Sequence, residues 1–169
     1  AVAAITTIAS IAAITTVAAI SSVALRCIPC LLLACLTAAA FRNALTVLQA
    51  IGGSTNALVH LTAVARRLGV DIELDEFDQI GRKVPVLVDL KPSGDHYMEH
   101  FHHAGGVPRL MQELSDVLDL DAPSVAGTLR DHVKVAEQVP GQTVIRSRAN
   151  PINPQGAMCV LRGNLAPRG

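Results

Sequence analysis

The sequence predicts an α/β fold for residues 41–169, preceded by an apolar segment of another character. Three observations carry this. Apolar residues recur at helical spacing on both sides of a double glycine: Phe41, Ala44, Leu45 and Leu48 before it, Leu58, Leu61, Ala65 and Leu68 after it. A short β-branched run, Val84-Pro85-Val86-Leu87-Val88, reads as a buried strand. The first 25 residues carry no charge and consist almost wholly of Ala, Ile, Val, Thr and Ser.

The double glycine is the organising point. Gly52 and Gly53 can take the left-handed conformation that ends one helix. Ser54, Thr55 or Asn56 can then cap the next by accepting from its free N–H groups. Such a helix start is also able to receive an anion or carboxylate, though a plain helix–helix corner has the same spacing.

The other elements follow in order. The second helix closes at Leu68-Gly69, with Arg66 and Arg67 suited to its C-terminal dipole. Asp75 is expected to cap a short helix carrying Phe77 and Ile80, with Asp78 as a capping-box analogue. Pro85 places the run at residues 84–88 at a strand start or sheet edge. The turn Asp89-Leu90-Lys91-Pro92-Ser93-Gly94 then lies at the strand's C-terminal end, where open α/β sheets gather ligands. Lys91 is the cation there that could hold a carboxylate or phosphate. A solvated turn lysine is the ordinary alternative.

Pro108 marks a helix start, with Leu110, Met111, Leu114, Val117 and Leu118 as its apolar face. Residues 132–137 are weakly helical, and Thr143 to Arg146 is a strand or extended arm. Asn150 to Pro154 is a rigid connector, and Ala157 to Gly163 reads as one further apolar strand. These boundaries divide the chain into 1–40, 41–150 and 151–169.

Composition narrows the function classes. Fourteen basic residues balance fourteen acidic ones, so no nucleic-acid partner is implied. With three Phe, one Tyr and no Trp, a stacking surface for bases or sugars is also disfavoured. Cys27, Cys30 and Cys35 form a C-x2-C-x4-C cluster in apolar sequence, with no second pair at ligand spacing. His96-Tyr97-Met98-Glu99-His100 matches H-x-x-E-H literally, but it breaks at Gly105-Gly106 and has no distant third ligand. The zinc reading is set aside.

The apolar run before Phe41 is long enough to span a bilayer as a helix. A membrane anchor, a buried helix pair and low-complexity translation outside the native frame all fit it, and the last is the favoured expectation. A membrane partner follows only if residues 1–40 are genuine.

Several motifs together resemble the dihydroxy-acid and sugar-acid dehydratases. They are Phe41-Arg42-Asn43-Ala44-Leu45, Gly52-Gly53-Ser54-Thr55-Asn56-Ala57, residues 84–94, Tyr97-Met98-Glu99, Ala104-Gly105-Gly106 and residues 161–167, in that order. The resemblance covers about residues 41–169 and leaves out residues 1–40. It implies the end of an N-terminal α/β domain and the first strand of a C-terminal β-barrel-like domain.

By resemblance, the activity is that of a hydro-lyase converting a 2,3-dihydroxy acid, branched-chain or sugar acid, into a 2-oxo acid. An iron–sulfur cluster would act as Lewis acid on the departing hydroxyl. Mg2+, held partly by a carbamylated lysine, would stabilise the enolate, and a serine alkoxide would take the C2 proton.

The motifs carrying those ligands and that serine have no counterpart in this sequence, so no catalytic residue and no metal ligand is assigned. Ser54, Thr55, Asn56 and Lys91 are the residues expected near substrate or metal. The implied partner is a small hydroxy acid, with a homo-oligomer as the family's assembly and a cytoplasmic or mitochondrial location. The alternative is a non-catalytic fragment or pseudo-enzyme, tethered to a membrane if residues 1–40 are native.

Overall fold

The computed structural model describes residues 33–134 and 139–169. The expectations placed on residues 1–32, including Cys27 and Cys30, lie outside that set. Among the described residues no helix is long and apolar enough to cross a membrane.

Helix α1 (Ala38–Ile51) is the hub. Thr37 caps it, its hydroxyl accepting from the Ala40 N–H at 3.2 Å. Gly52 ends it at φ 69°, a left-handed conformation that a side chain would strain. The N–H groups of Gly52 and Gly53 both reach back to the Leu48 carbonyl. This is the glycine-terminated ending expected from the sequence.

Helix α2 (Thr55–Arg67) starts immediately after, with Arg66 and Arg67 in its last turn. Helix α3 (Leu74–Lys83) departs from expectation, since its N-cap is Glu73 without a side-chain bond. Asp75 lies inside the first turn and pairs with Arg162 instead. Asp78 accepts from the Val160 N–H at 3.1 Å and from Arg82. Both carboxylates hold the downstream chain rather than cap a helix.

Helix α4 (Met98–His103) and helix α5 (Gly106–Glu113) follow, and Pro108 falls within the first turn of α5. The apolar face continues past the end of α5: Leu110, Leu114 and Leu118 are all buried. The only sheet among the described residues is a two-stranded antiparallel hairpin, β1 (Pro123–Ser124) and β2 (Gly127–Thr128). Helix α6 (Leu129–Lys134) follows it.

The expected strand at 84–88 is realised as isolated antiparallel bridges, Val86 to Asn153 and Val88 to Ile145. The Asp89 N–H reaches the Val144 carbonyl, and the Arg146 N–H reaches that of Leu87, each within 2.9 Å. The expected arm at 143–146 is therefore the partner of this run. Residues 157–163 form no strand and lie as an extended strap. The fold is mixed, with helices and one small two-stranded antiparallel sheet among the described residues.

Two apolar clusters flank α1. One joins Ala50 to Leu87, Val88, Phe101, Leu110, Leu114 and Ile145. The other joins Phe41, Leu45 and Leu48 to Ala65, Ile72 and Phe77. With apolar burial on both sides, α1 also buries Asn43, Thr46 and Gln49.

Candidate functional site

The corner between α1 and α2 carries three of the four residues singled out by sequence. Ser54 is the N-cap, its Oγ accepting from the Asn56 N–H at 3.2 Å. Ser54, Thr55 and Asn56 are all exposed. The corner is anchored from behind, because the last turn of α1 gives its free carbonyls to tertiary partners. Gln49 accepts from the Ala157 N–H at 3.3 Å, and Ala50 from the Leu87 N–H at 2.9 Å. A helix end needs such partners once it is buried.

Lys91 lies in a separate, closely tied turn. Its N–H donates to the His96 carbonyl at 2.8 Å, and the Gly94 N–H to the Leu90 carbonyl at 2.7 Å. The Asp89 carboxylate accepts from the Asp95 N–H at 2.9 Å. The Lys91 ammonium donates to the Tyr97 hydroxyl at 2.7 Å and stands 4.1 Å from the centre of its ring. No carboxylate lies within ion-pair distance of Lys91 among the described residues. Among them, no hydrogen bond or ion pair joins it to Ser54, Thr55 or Asn56 either. The site residues thus fall in two places, both reached through residues 84–90.

The H-x-x-E-H segment does not form a two-histidine helical face. His96 precedes α4 and faces Asp89 at 3.6 Å, while the Nδ1 of His100 accepts the Tyr97 N–H at 3.1 Å. The two rings meet edge-on with centres 5.5 Å apart. Among the described residues no three His, Cys, Asp or Glu side chains converge to hold a metal. Among these described residues, then, the side chains assemble no donor set for an iron–sulfur cluster or Mg2+.

Two concavities lie elsewhere. An open groove of about 840 Å³ runs between α2 and α3, lined by Leu58, Val59, Arg66, Ile72, Leu74 and Arg168 among others. A pocket of about 130 Å³ is bounded by Asp78, Gly81, Arg82, Gly156, Met158 and Cys159. Neither is lined by Ser54, Thr55, Asn56 or Lys91.

Sequence reasoning missed the two residues that hold the corner's helix in place. Gln49 is fully buried, and its side-chain amide pairs with the backbone of Met158. Nε2 donates to the Met158 carbonyl and Oε1 accepts the Met158 N–H, both at 3.0 Å. Asn43 does the same with Asp119, donating to its carbonyl at 2.8 Å and accepting its N–H at 2.9 Å. Each amide takes the place of a neighbouring strand. The available signal was two polar amides within a helix otherwise rich in apolar residues.

Close approach at the Gln49 pairing requires small residues. A Cβ on Gly81 would lie 2.7 Å from the Gln49 amide nitrogen and 3.0 Å from the Met158 carbonyl oxygen. One on Gly156 would lie 2.9 Å from the Gly81 Cα.

Two carboxylates are held below their usual range. For Asp78 the main cause is the Val160 N–H, followed by Arg82. For Asp131 it is the Thr128 N–H, then the Thr128 hydroxyl.

Comparison with known proteins adds the family. The sequence model for the dihydroxy-acid/6-phosphogluconate dehydratase N-terminal region matches residues 5–132. That span begins inside the apolar run, which the motifs alone had left outside the resemblance.

Among curated relatives, dihydroxy-acid dehydratase of Methylococcus capsulatus is 49% identical over 138 residues. The Roseiflexus enzyme of that name is 47% identical over 137 residues, and that of Rippkaea orientalis 43% over 142. Each alignment covers 79% of this chain and 24–25% of the relative. The chain spans about a quarter of the length of these relatives. It belongs to the dihydroxy-acid/6-phosphogluconate dehydratase family.

Proposed function

We propose that the chain serves a hydro-lyase reaction in which a 2,3-dihydroxy acid loses water to give a 2-oxo acid. On this proposal residues 41–150 are the end of the family's N-terminal α/β domain, and residues 151–169 are the connector and start of the β domain that follows. The observation carrying this reading is the match to relatives named dihydroxy-acid dehydratase at up to 49% identity.

On this reading the exposed corner Ser54-Thr55-Asn56 faces the hydroxy acid. It offers hydroxyl and amide groups and the N-terminal end of a 13-residue helix, whose dipole suits a carboxylate. Lys91 supplies a cation without a carboxylate partner among the described residues. The resemblance assigns abstraction of the C2 proton and departure of the C3 hydroxyl to motifs that have no counterpart in this sequence. The assembly proposed for the family's enzyme is a homo-oligomer, as the resemblance implies.

The test uses the 169-residue chain with iron, sulfide, Mg2+ and a branched-chain dihydroxy acid, with arabinonate and xylonate in parallel. The expected result is that no 2-oxo acid forms, while the acid shifts the amide resonances of Gly53 to Ala57. Formation of 2-oxo acid would overturn the assignment of the chemistry to groups elsewhere. Unshifted corner amides with every acid would overturn the substrate-facing role and favour a non-catalytic relic.

A further inference from the structure

We infer that residues 156–158 and the α1–α2 corner form one mechanical unit, with Gln49 as the positioning residue that joins them. Four hydrogen bonds tie the strap to α1 and α3. The Gln49 carbonyl accepts the Ala157 N–H, and its side-chain amide brackets Met158 from both sides. The Gly156 N–H donates to the Gly81 carbonyl at 2.6 Å, locking the strap against α3.

Gly52 and Gly53 in turn hang on the Leu48 carbonyl, one residue before Gln49. The direction in which α2 leaves α1 is therefore set at Leu48, the residue next to the one the strap holds. The strap thereby fixes where Ser54, Thr55 and Asn56 stand.

Coupling of this kind is reciprocal: whatever orders the corner must order the strap by the same free energy. A hydroxy acid seated at the corner would thus stiffen residues 156–158, a consequence that rests on the function proposed above. The mechanical coupling itself does not need that function.

α1 contains its own control. Asn43 makes the same paired contact with Asp119, but six residues away and with no link to the corner. Amide hydrogen exchange on the full 169-residue chain separates the two. Replacing Gln49→Leu is expected to speed exchange at Ala157 and Met158 by about tenfold or more, and at Gly53, Asn56 and Ala57 with them. Replacing Asn43→Leu is expected to speed Asp119 and leave the corner at its wild-type rates.

The inference is overturned if Gln49→Leu releases Met158 while the corner keeps its protection. If that variant does not fold, the exposed Ala157→Pro replaces it, removing the N–H that the Gln49 carbonyl accepts. Faster exchange at Gly53 is then expected, and an unchanged rate there overturns the inference. No outcome depends on turnover, so failure of the coupling and failure of the dehydratase reading are read separately.

Discussion

Helices α1 and α2 are nearly equal in length, 14 and 13 residues, and both carry apolar residues at helical spacing. They end in opposite situations. α1 buries seven residues, whereas α2 buries only Ala65 and leaves Val59 and Val64 at 65% and 47% exposure. The difference lies in what surrounds them. α1 separates two apolar clusters and is packed on both flanks, while α2 leans on one cluster through Ala57, Leu58, Leu61 and Leu68. Periodicity tells which residues share a face; how many faces are covered is decided by the rest of the chain.

The contrast can be broken most forcefully at Leu45, which is 1% exposed on α1. Leu45→Ala is expected to cost about 2–5 kcal/mol, because the buried site cannot collapse fully around the void. Urea unfolding of the two proteins measures it. At the junction, Ser54→Ala removes the cap of α2 and is expected to cost about 1 kcal/mol by the same assay. On the exposed side of α2, Val59→Ala is expected to stay within about 0.5 kcal/mol of wild type. A cost like that of Leu45 would mean that α2 is covered in solution by something not seen here.

The mildest test concerns acid and is local. The Asp78 carboxyl is lowered in the folded state, chiefly by the Val160 N–H and then by Arg82. The stabilisation it supplies is therefore fully present above its ordinary value of 3.8 and fades as pH falls through the lower folded value. Exchange at the Val160 amide should speed up in that window, while the Gln49 pairing, which has no titrating group, keeps its rate. Simultaneous loss of both would show that the strap peels as one piece.

Much of the α1–α2 corner was legible in the sequence. Gly52 adopts the left-handed ending and Ser54 caps the next helix, because both depend on backbone rules that act within a few residues. Residues 84–88 were legible as buried, but their partners were not. Val86 pairs with Asn153 and Val88 with Ile145, more than fifty residues away, and no local pattern encodes such a register.

Asp75 and Asp78 were misread for a related reason. An acidic residue at a helix start satisfies capping rules equally well when its true partner is a distant Arg162 or Val160. The site residues divided likewise. Ser54 was found through its local role, whereas the link between Lys91 and Tyr97 depends on how the turn at 89–97 closes.

The paired amides of Asn43 and Gln49 have an evolutionary consequence. Each contacts only the peptide groups of its partner and reads nothing of the partner's side chain. Asp119 and Met158 are therefore free to drift to other residue types without losing their address on α1. What cannot drift is the count of residues leading to them. A single insertion between Gly156 and Met158 would slide the chain past both Gln49 and the Gly81 gap. Selection on this part of the molecule should therefore act on spacing far more than on spelling.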